Sequence, residues 1–267
     1  NCANCHMPRS ETSDIPHVTT TDHFIRIPVP AKKKEAIKRF LGIVCVNNPE
    51  PGSRALATGY LQYFERFDAL PEALDSAAKY LPEATSADVI ENFTGLVHLY
   101  YLRRNFPGLT ALVQKAARYR DISGLLTASS GNNEGAWTSY RIGESCWQTG
   151  DGDCARTYFE KAAELAPYIP EFRNKLGAVL LAAGDMTGAE KIFSDIVSEN
   201  PEYVPALSNL GYVYLILRND GQKAEELYAR ALALDPDYEH ALLNMAGLFI
   251  HRKQFGKAGE MLHRILG

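Results

Sequence analysis

The sequence predicts an all-α fold, a solenoid of stacked helical hairpins preceded by an extended N-terminal segment. Three observations carry this. Glycines recur 34 residues apart at Gly143, Gly177 and Gly211. Alanines (Ala155, Ala189, Ala224) and prolines (Pro167, Pro201, Pro236) keep the same register, with one extra residue in the third copy. Residues 7–30, by contrast, hold Pro8, Pro16, Pro28 and Pro30 and show no helical period. That stretch is expected to run extended and to lie against something else. A fixed period of this length marks one supersecondary unit that cannot bury its apolar face alone, so copies stack.

The copies are read at 137–167, 171–201 and 206–236, with a fourth running from Ala241 through Ala246 and Ala258 without its closing proline. Each has two amphipathic stretches around a turn such as AGD or TGDGD. Small residues (Gly143, Gly177, Gly211, Ala246) let paired helices approach. Phe159, Phe193 and Tyr228 are expected to fill the gap to the next hairpin, and proline to stop the second helix. The extra residue is expected in the RNDGQ turn, where an insertion is easiest to absorb. Over about residues 136–267 this pattern resembles the tetratricopeptide repeat, which implies a tetratricopeptide-type α-solenoid. Upstream the repeat blurs: 54–82 and 92–120 share a glycine (Gly59, Gly95) and a proline (Pro71, Pro107) 36 residues apart and read as degenerate hairpins continuing the stack. The stretch SGLLTASSGNNEG (123–135) reads as a loop between the halves. The expected organisation is therefore an N-terminal segment over 1–30, degenerate hairpins over 31–132 and four repeats over 133–267.

Bulk properties exclude several classes. The chain has 267 residues, 46% hydrophobic and 22% charged, which is globular rather than disordered composition. A formal charge of −4 provides no basic field for nucleic acid. The basic run AKKKEAIKR (31–39) reads as a solvated helix start. No apolar run reaches the ~18 residues needed to span a bilayer. No signal peptide precedes the first motif, so a leader and a longer upstream segment are expected.

That motif is CANCH. Two thiols three residues apart, followed at once by an imidazole, form the attachment signature of a c-type haem. The thiols of Cys2 and Cys5 would add to the haem vinyl groups, and His6 would ligate the iron. Two competing readings exist. A zinc site would need two further ligands, which His17 and His23 could supply. A thioredoxin-like CxxC would want a strand before it and a helix after, where this sequence places a proline.

The longer stretch CANCHMPRSETSDIPHVTTTDHFIRIPVP resembles a module of multihaem c-type cytochromes, including the cytochrome c nitrite reductase group. It also resembles multihaem cytochromes fused to tetratricopeptide repeats. The matching residues are Cys2, Cys5, His6, Met7, Pro8, Asp22, His23, Arg26 and Pro28. The resemblance implies covalent haem c, at least one, with further haems nearby. His6 would be the proximal ligand, and His17 and His23 are the nearest candidates for the sixth position. By analogy with the nitrite reductase group, His23 would serve a neighbouring haem, on an upstream segment or another chain. Asp22 could hold an imidazole tautomer, and Arg26 could pair with a propionate. Reductase activity does not carry over, because no haem with an open coordination site is visible. The implied role is an electron carrier rather than a catalyst, periplasmic or extracellular in a bacterium or archaeon. Its implied partners are other cytochromes or haem-bearing chains, with a homo-oligomer or filament as an extension. Two rivals remain at this level: a non-redox repeat adaptor for cytochrome assembly, and the C-terminal part of a catalytic multihaem reductase.

Of the remaining cysteines, Cys146 and Cys154 face each other across a turn. They are either a disulfide or two buried thiols, and Cys45 would stay as a small core residue. The repeat groove, expected to take a protein or peptide, should be lined by Trp137, Tyr140, Trp147, Ala178, Leu181, Tyr212, Leu215, Leu243 and Ile250. It lacks the lysine and asparagine pairing by which some such proteins clamp a peptide carboxylate. His98, His240, His251 and His263 read as surface or packed histidines rather than haem ligands. No catalytic Ser/His/Asp set or carboxylate pair stands out.

Overall fold

A computed structural model of the chain describes residues 9–11, 19–21, 42–46, 48–67, 69–127 and 133–266. By internal contacts the chain divides into two units, Asn1–Leu41 and Gly42–Gly267. In the first, the described residues form two short strands, β1 (Arg9–Glu11) and β2 (Thr19–Thr21). They pair antiparallel with Arg9 opposite Thr21, within the stretch expected to be extended. Cys2, Cys5, His6, His17, His23 and Arg26 all lie outside the described residues, as do Asp22 and the basic run 31–39.

The second unit is helical throughout its described elements. Its front comprises α1 (Ser53–Arg66), α2 (Pro71–Lys79), α3 (Ser86–Glu91), α4 (Phe93–Leu102), α5 (Phe106–Ala117) and α6 (Ile122–Thr127). Four hairpins follow: α7 (Glu134–Gln148) with α8 (Gly152–Leu165), α9 (Pro170–Ala182) with α10 (Met186–Glu199), α11 (Val204–Arg218) with α12 (Gly221–Leu234), and α13 (Glu239–His251) with α14 (Phe255–Leu266). Each first helix packs on its own second helix and on the hairpin before it, and the first helices α1, α4 and α7 touch in succession. The front hairpins thus join the repeats in one unit. The stretch 123–135 is not all loop. The Asp121 carboxylate accepts the Gly124 amide at 2.9 Å and caps α6, which buries Leu125 and Leu126.

The turns explain the period. The residue that reverses the chain has positive φ in every copy: Gly150 (81°), Gly184 (86°), Asn219 (51°) and Lys253 (58°). In the first three copies an aspartate follows and caps the second helix: Asp151 accepts from Cys154, Asp185 from Gly188 and Asp220 from Lys223, at 2.9–3.0 Å. The extra residue of the third copy lies in the helix rather than in the turn. The Asp220 amide reaches back six residues to Tyr214, whereas Asp151 and Asp185 reach back five, to Cys146 and Leu180. One widened final turn of α11 absorbs the insertion, with Asn219 capping it directly.

The aromatic positions make a contact beyond the expected one. Phe159, Phe193 and Tyr228 seat on the glycine of their own hairpin, and Phe193 and Tyr228 also belong to buried clusters that reach the next one, as expected. A Cβ on Gly143, Gly177 or Gly211 would stand 2.9, 2.6 or 2.6 Å from the Phe159, Phe193 or Tyr228 ring, respectively. Ile196, Leu207 and Leu210 share one buried cluster with Phe193 and carry the stacking with it. Cys45 is exposed rather than in the core, because it lies on the non-helical lead into α1.

Where α6 meets α7, contact is closest of all: a Cβ on Gly135 would fall 1.8 Å from the Leu126 carbonyl oxygen. Backbone cannot swing aside as a side-chain tip does. Gly135→Ala should therefore destabilise by about 2 kcal/mol or more despite alanine's better helix propensity. Gly247→Ala on α13, where nothing lies within 4 Å, should stabilise by about 0.5–1 kcal/mol. Urea denaturation of the two variants checks the contrast.

Candidate binding groove and its charged pocket

The groove runs along the first helices, and its front end is polar. Helical spacing puts Arg54, Thr58 and Glu65 on one face of α1, Thr94 and His98 on one face of α4, and Glu134, Trp137, Thr138 and Arg141 on one face of α7. The three faces enclose a cavity of about 670 Å3. Two charge systems line it. In the outer one, Arg54 grips both carboxylate oxygens of Glu134 at 2.9 Å, and the Thr94 hydroxyl donates to Glu134 at 2.7 Å. Glu134 also sits in the first turn of α7, where the helix dipole favours a negative charge.

The inner system centres on Glu65. One of its oxygens stands 3.4 Å from His98 Nε2 and the other 3.7 Å from an Arg141 guanidinium nitrogen. The His98 contact is too poorly aligned to count as a hydrogen bond in the strict sense, so a buried imidazole nitrogen remains unsatisfied. His98 and then Arg141 nevertheless hold the Glu65 carboxyl below its ordinary pKa, against the opposing effect of burial. Burial chiefly, helped by the Arg141 charge, depresses the His98 pKa below 6.5, although Glu65 and Glu134 pull the other way. His98 is thus a packed histidine, neutral near pH 7.

A pH dependence follows, with its sign set by linkage. Because the folded-state pKa of His98 lies below the unfolded value near 6.5, the unfolded chain binds more protons as pH falls through that value. Stability is fully present above about pH 6.5 and declines below it. His98→Gln should flatten that decline, read as Tm against pH for both proteins. A wild-type curve superimposing on the variant's between pH 7 and 5 would contradict it.

Behind the pocket, Trp137 stands edge-on to Phe172 with ring centroids 4.8 Å apart, and Tyr140 packs on Phe159 and Phe172 at 5.7 and 5.4 Å. Tyr140 is therefore core rather than groove lining, and burial drives its phenol pKa far upward. Further along, Trp147, Tyr212, Leu243 and Ile250 are exposed, whereas Trp137, Ala178, Leu181 and Leu215 are half-buried. Side-chain amides tie successive first helices together: Asn209 donates to Asn174 at 3.0 Å and Asn244 to Ser208 at 3.2 Å. Cys146 and Cys154 are joined by a disulfide with Cα atoms 5.7 Å apart, clipping α7 to α8. His240, His251 and His263 are exposed. Among the described residues no group of three or more His, Cys, Asp or Glu side chains could hold a metal ion. None of their helices is long and apolar enough to cross a membrane.

Sequence reasoning named Trp137 but missed Arg54, Glu65, Thr94, Glu134 and Arg141. A signal was present in the polar residues at i, i+4 and i+7 on otherwise apolar helices.

Profiles of the tetratricopeptide repeat match residues 140–204, 175–239 and 215–267. The fold is that of a tetratricopeptide-repeat solenoid, and residues 140–267 are such repeats. Among solved structures, YrrB, described as a TPR protein with an unusual peptide-binding site, is 22% identical with a TM-score of 0.50, covering 70% of this chain and 88% of its own. MamA from Desulfovibrio magneticus RS-1 (41 to end) is 20% identical with a TM-score of 0.50, covering 68% and 96%. PilF of Pseudomonas aeruginosa is 16% identical with a TM-score of 0.50, covering 68% and 77%. No curated protein sequence matches the chain. The groove is that of a protein-interaction or adaptor fold.

Proposed function

We propose that the hairpin stack is a docking platform for an extended segment of a partner protein, and that residues 1–30 bring to it a covalently attached haem. The observation that carries the first half is the groove itself. Exposed Tyr212, Leu243 and Ile250 lie on the first helices of the repeats, and the charged cavity lies where α1 and α4 of the front meet α7 of the first repeat. The second half rests on the donor set of CANCH. Two thiols and an adjoining imidazole suit two thioether links and one axial nitrogen.

Cys2 and Cys5 would tether the porphyrin and His6 would ligate its iron. His17 is a candidate for the sixth position, His23 would serve a neighbouring haem, and Arg26 would neutralise a propionate. The haem, when bound, supplies one-electron transfer. The chain's own contribution is to fix its ligands and to recruit the donor or acceptor through the groove. The Cys146–Cys154 disulfide supports placing the protein outside the cytoplasm, where such bonds persist and where c-type haem is attached.

The test is an absorption spectrum of full-length protein made in a haem-attaching host. Sharp visible bands that survive acid-acetone extraction are expected. A featureless visible region would leave the adaptor reading, which the repeats and the groove support equally well without a cofactor.

A further inference from the structure

Arg141 is a buried charge whose ion pair with Glu65 is long. Its side chain is only 12% exposed and its guanidinium lies 5.9 Å from the centre of the Trp137 ring. A guanidinium carries five donors, and the acceptor facing this one, the Glu65 carboxylate, stands at the long end of hydrogen-bonding range. The nearest carboxylate oxygen belongs to Glu65 at 3.7 Å, and that carboxylate is shared with His98. A buried cation so poorly met is costly unless something else completes its shell. Arg141 lines the 670 Å3 cavity, so its donors are available to an occupant of that space.

We propose that the front pocket receives a carboxylate from an acidic segment of a partner protein, held by Arg141 above Trp137 in competition with Glu65. The inference rests on the docking-platform reading and specifies what the platform recognises at one end. The charge inventory favours an anion. Three guanidinium groups (Arg54, Arg66, Arg141) face two carboxylates (Glu65, Glu134) and a neutral imidazole. Arg54 pairs through one guanidinium nitrogen with both oxygens of Glu134 and so screens that carboxylate. A planar carboxylate can take two parallel bonds from one guanidinium. A doubly charged phosphate would meet two carboxylates with only one surplus positive charge to offset them. The cavity accommodates a side chain or chain terminus with its neighbouring residues, not merely a lone ion.

Calorimetry on the full chain with three acetylated pentapeptides tests this. Ala-Leu-Ala-Leu-Glu amide carries a side-chain carboxylate, Ala-Leu-Ala-Leu-Gln acid a terminal one, and Ala-Leu-Ala-Leu-Gln amide neither. The first should bind at least about tenfold tighter than the third, as a charge-assisted contact allows, and a preference confined to the second would overturn the acidic-segment source. Arg141→Met should abolish that preference. Because Arg141 is buried and its loss could unfold the front, Glu65→Gln is the second arm. Relieving the competition should tighten the preferred peptide about threefold or more. Equal binding of all three peptides would overturn the carboxylate reading and leave the platform standing, whereas binding of none would overturn both. Weaker binding to Glu65→Gln, or a preference that survives Arg141→Met, would also overturn it.

Discussion

Replacing Cys2 and Cys5 together by serine is expected to abolish every visible absorption band of the purified protein, while far-ultraviolet circular dichroism and thermal unfolding of the helices stay unchanged. Serine hydroxyls cannot form the thioether links, and His6 alone leaves haem free to dissociate. The helices should be indifferent because the motif and the stack belong to different contact units. Cys2→Ser or Cys5→Ser alone should leave one link and a reduced yield. His6→Gln should keep the thioether links but shift the bands, since an axial nitrogen is lost. Visible bands of wild-type intensity in the double variant would mean that haem is held elsewhere. The free thiol at Cys45 and the histidines of the helices would then be the places to look.

The second large effect concerns the stack. Phe193 is fully buried, seated on Gly177 and joined to Ile196, Leu207 and Leu210 in one cluster spanning two hairpins. Phe193→Ala removes a ring whose space the facing helix cannot close. The expected cost is about 3–5 kcal/mol. In a repeat array, stability is a sum of unit and neighbour terms, so the loss should spread to the hairpins on either side instead of staying local. Hydrogen exchange should speed up in α9 to α12 ahead of the front helices. Leu243→Ala, on the exposed groove face, should cost little and serve as control. A loss below about 1 kcal/mol for Phe193→Ala would mean that the aromatic is not the keystone of its hairpin.

The repeats were legible because one physical requirement recurs at one spacing. A small residue must face a large ring, and a reversing residue must be followed by a helix cap. Gly177 with Phe193, and Gly184 with Asp185, can be read off the sequence at those offsets. The full partnership is not readable, since sequence spacing does not say that Phe193 meets its own hairpin's glycine as well as the next hairpin. The third copy shows the same limit. A one-residue insertion looks like loop, yet Asn219 can take positive φ, so the helix lengthens instead. At the front, short helices such as α3 and α6 have too few turns to display a period. Thr85 and Asp88, however, form a capping box that the local TSAD sequence announces. The pocket was out of reach for a different reason. Arg54 and Glu134 are 80 residues apart, and each alone is an ordinary charge on an amphipathic helix. Burial of His98 and Arg141 likewise depends on which hairpins stand side by side.

Peptide mapping by mass spectrometry of full-length protein from a haem-attaching host is the most direct measurement. The account predicts that the peptide containing Cys2 and Cys5 carries the mass of one haem bound through both sulfurs, and that the peptides containing Cys146 and Cys154 stay linked until reduced. Both front sulfurs unmodified in material that has passed through the attachment machinery would contradict it, leaving a docking solenoid without a redox centre.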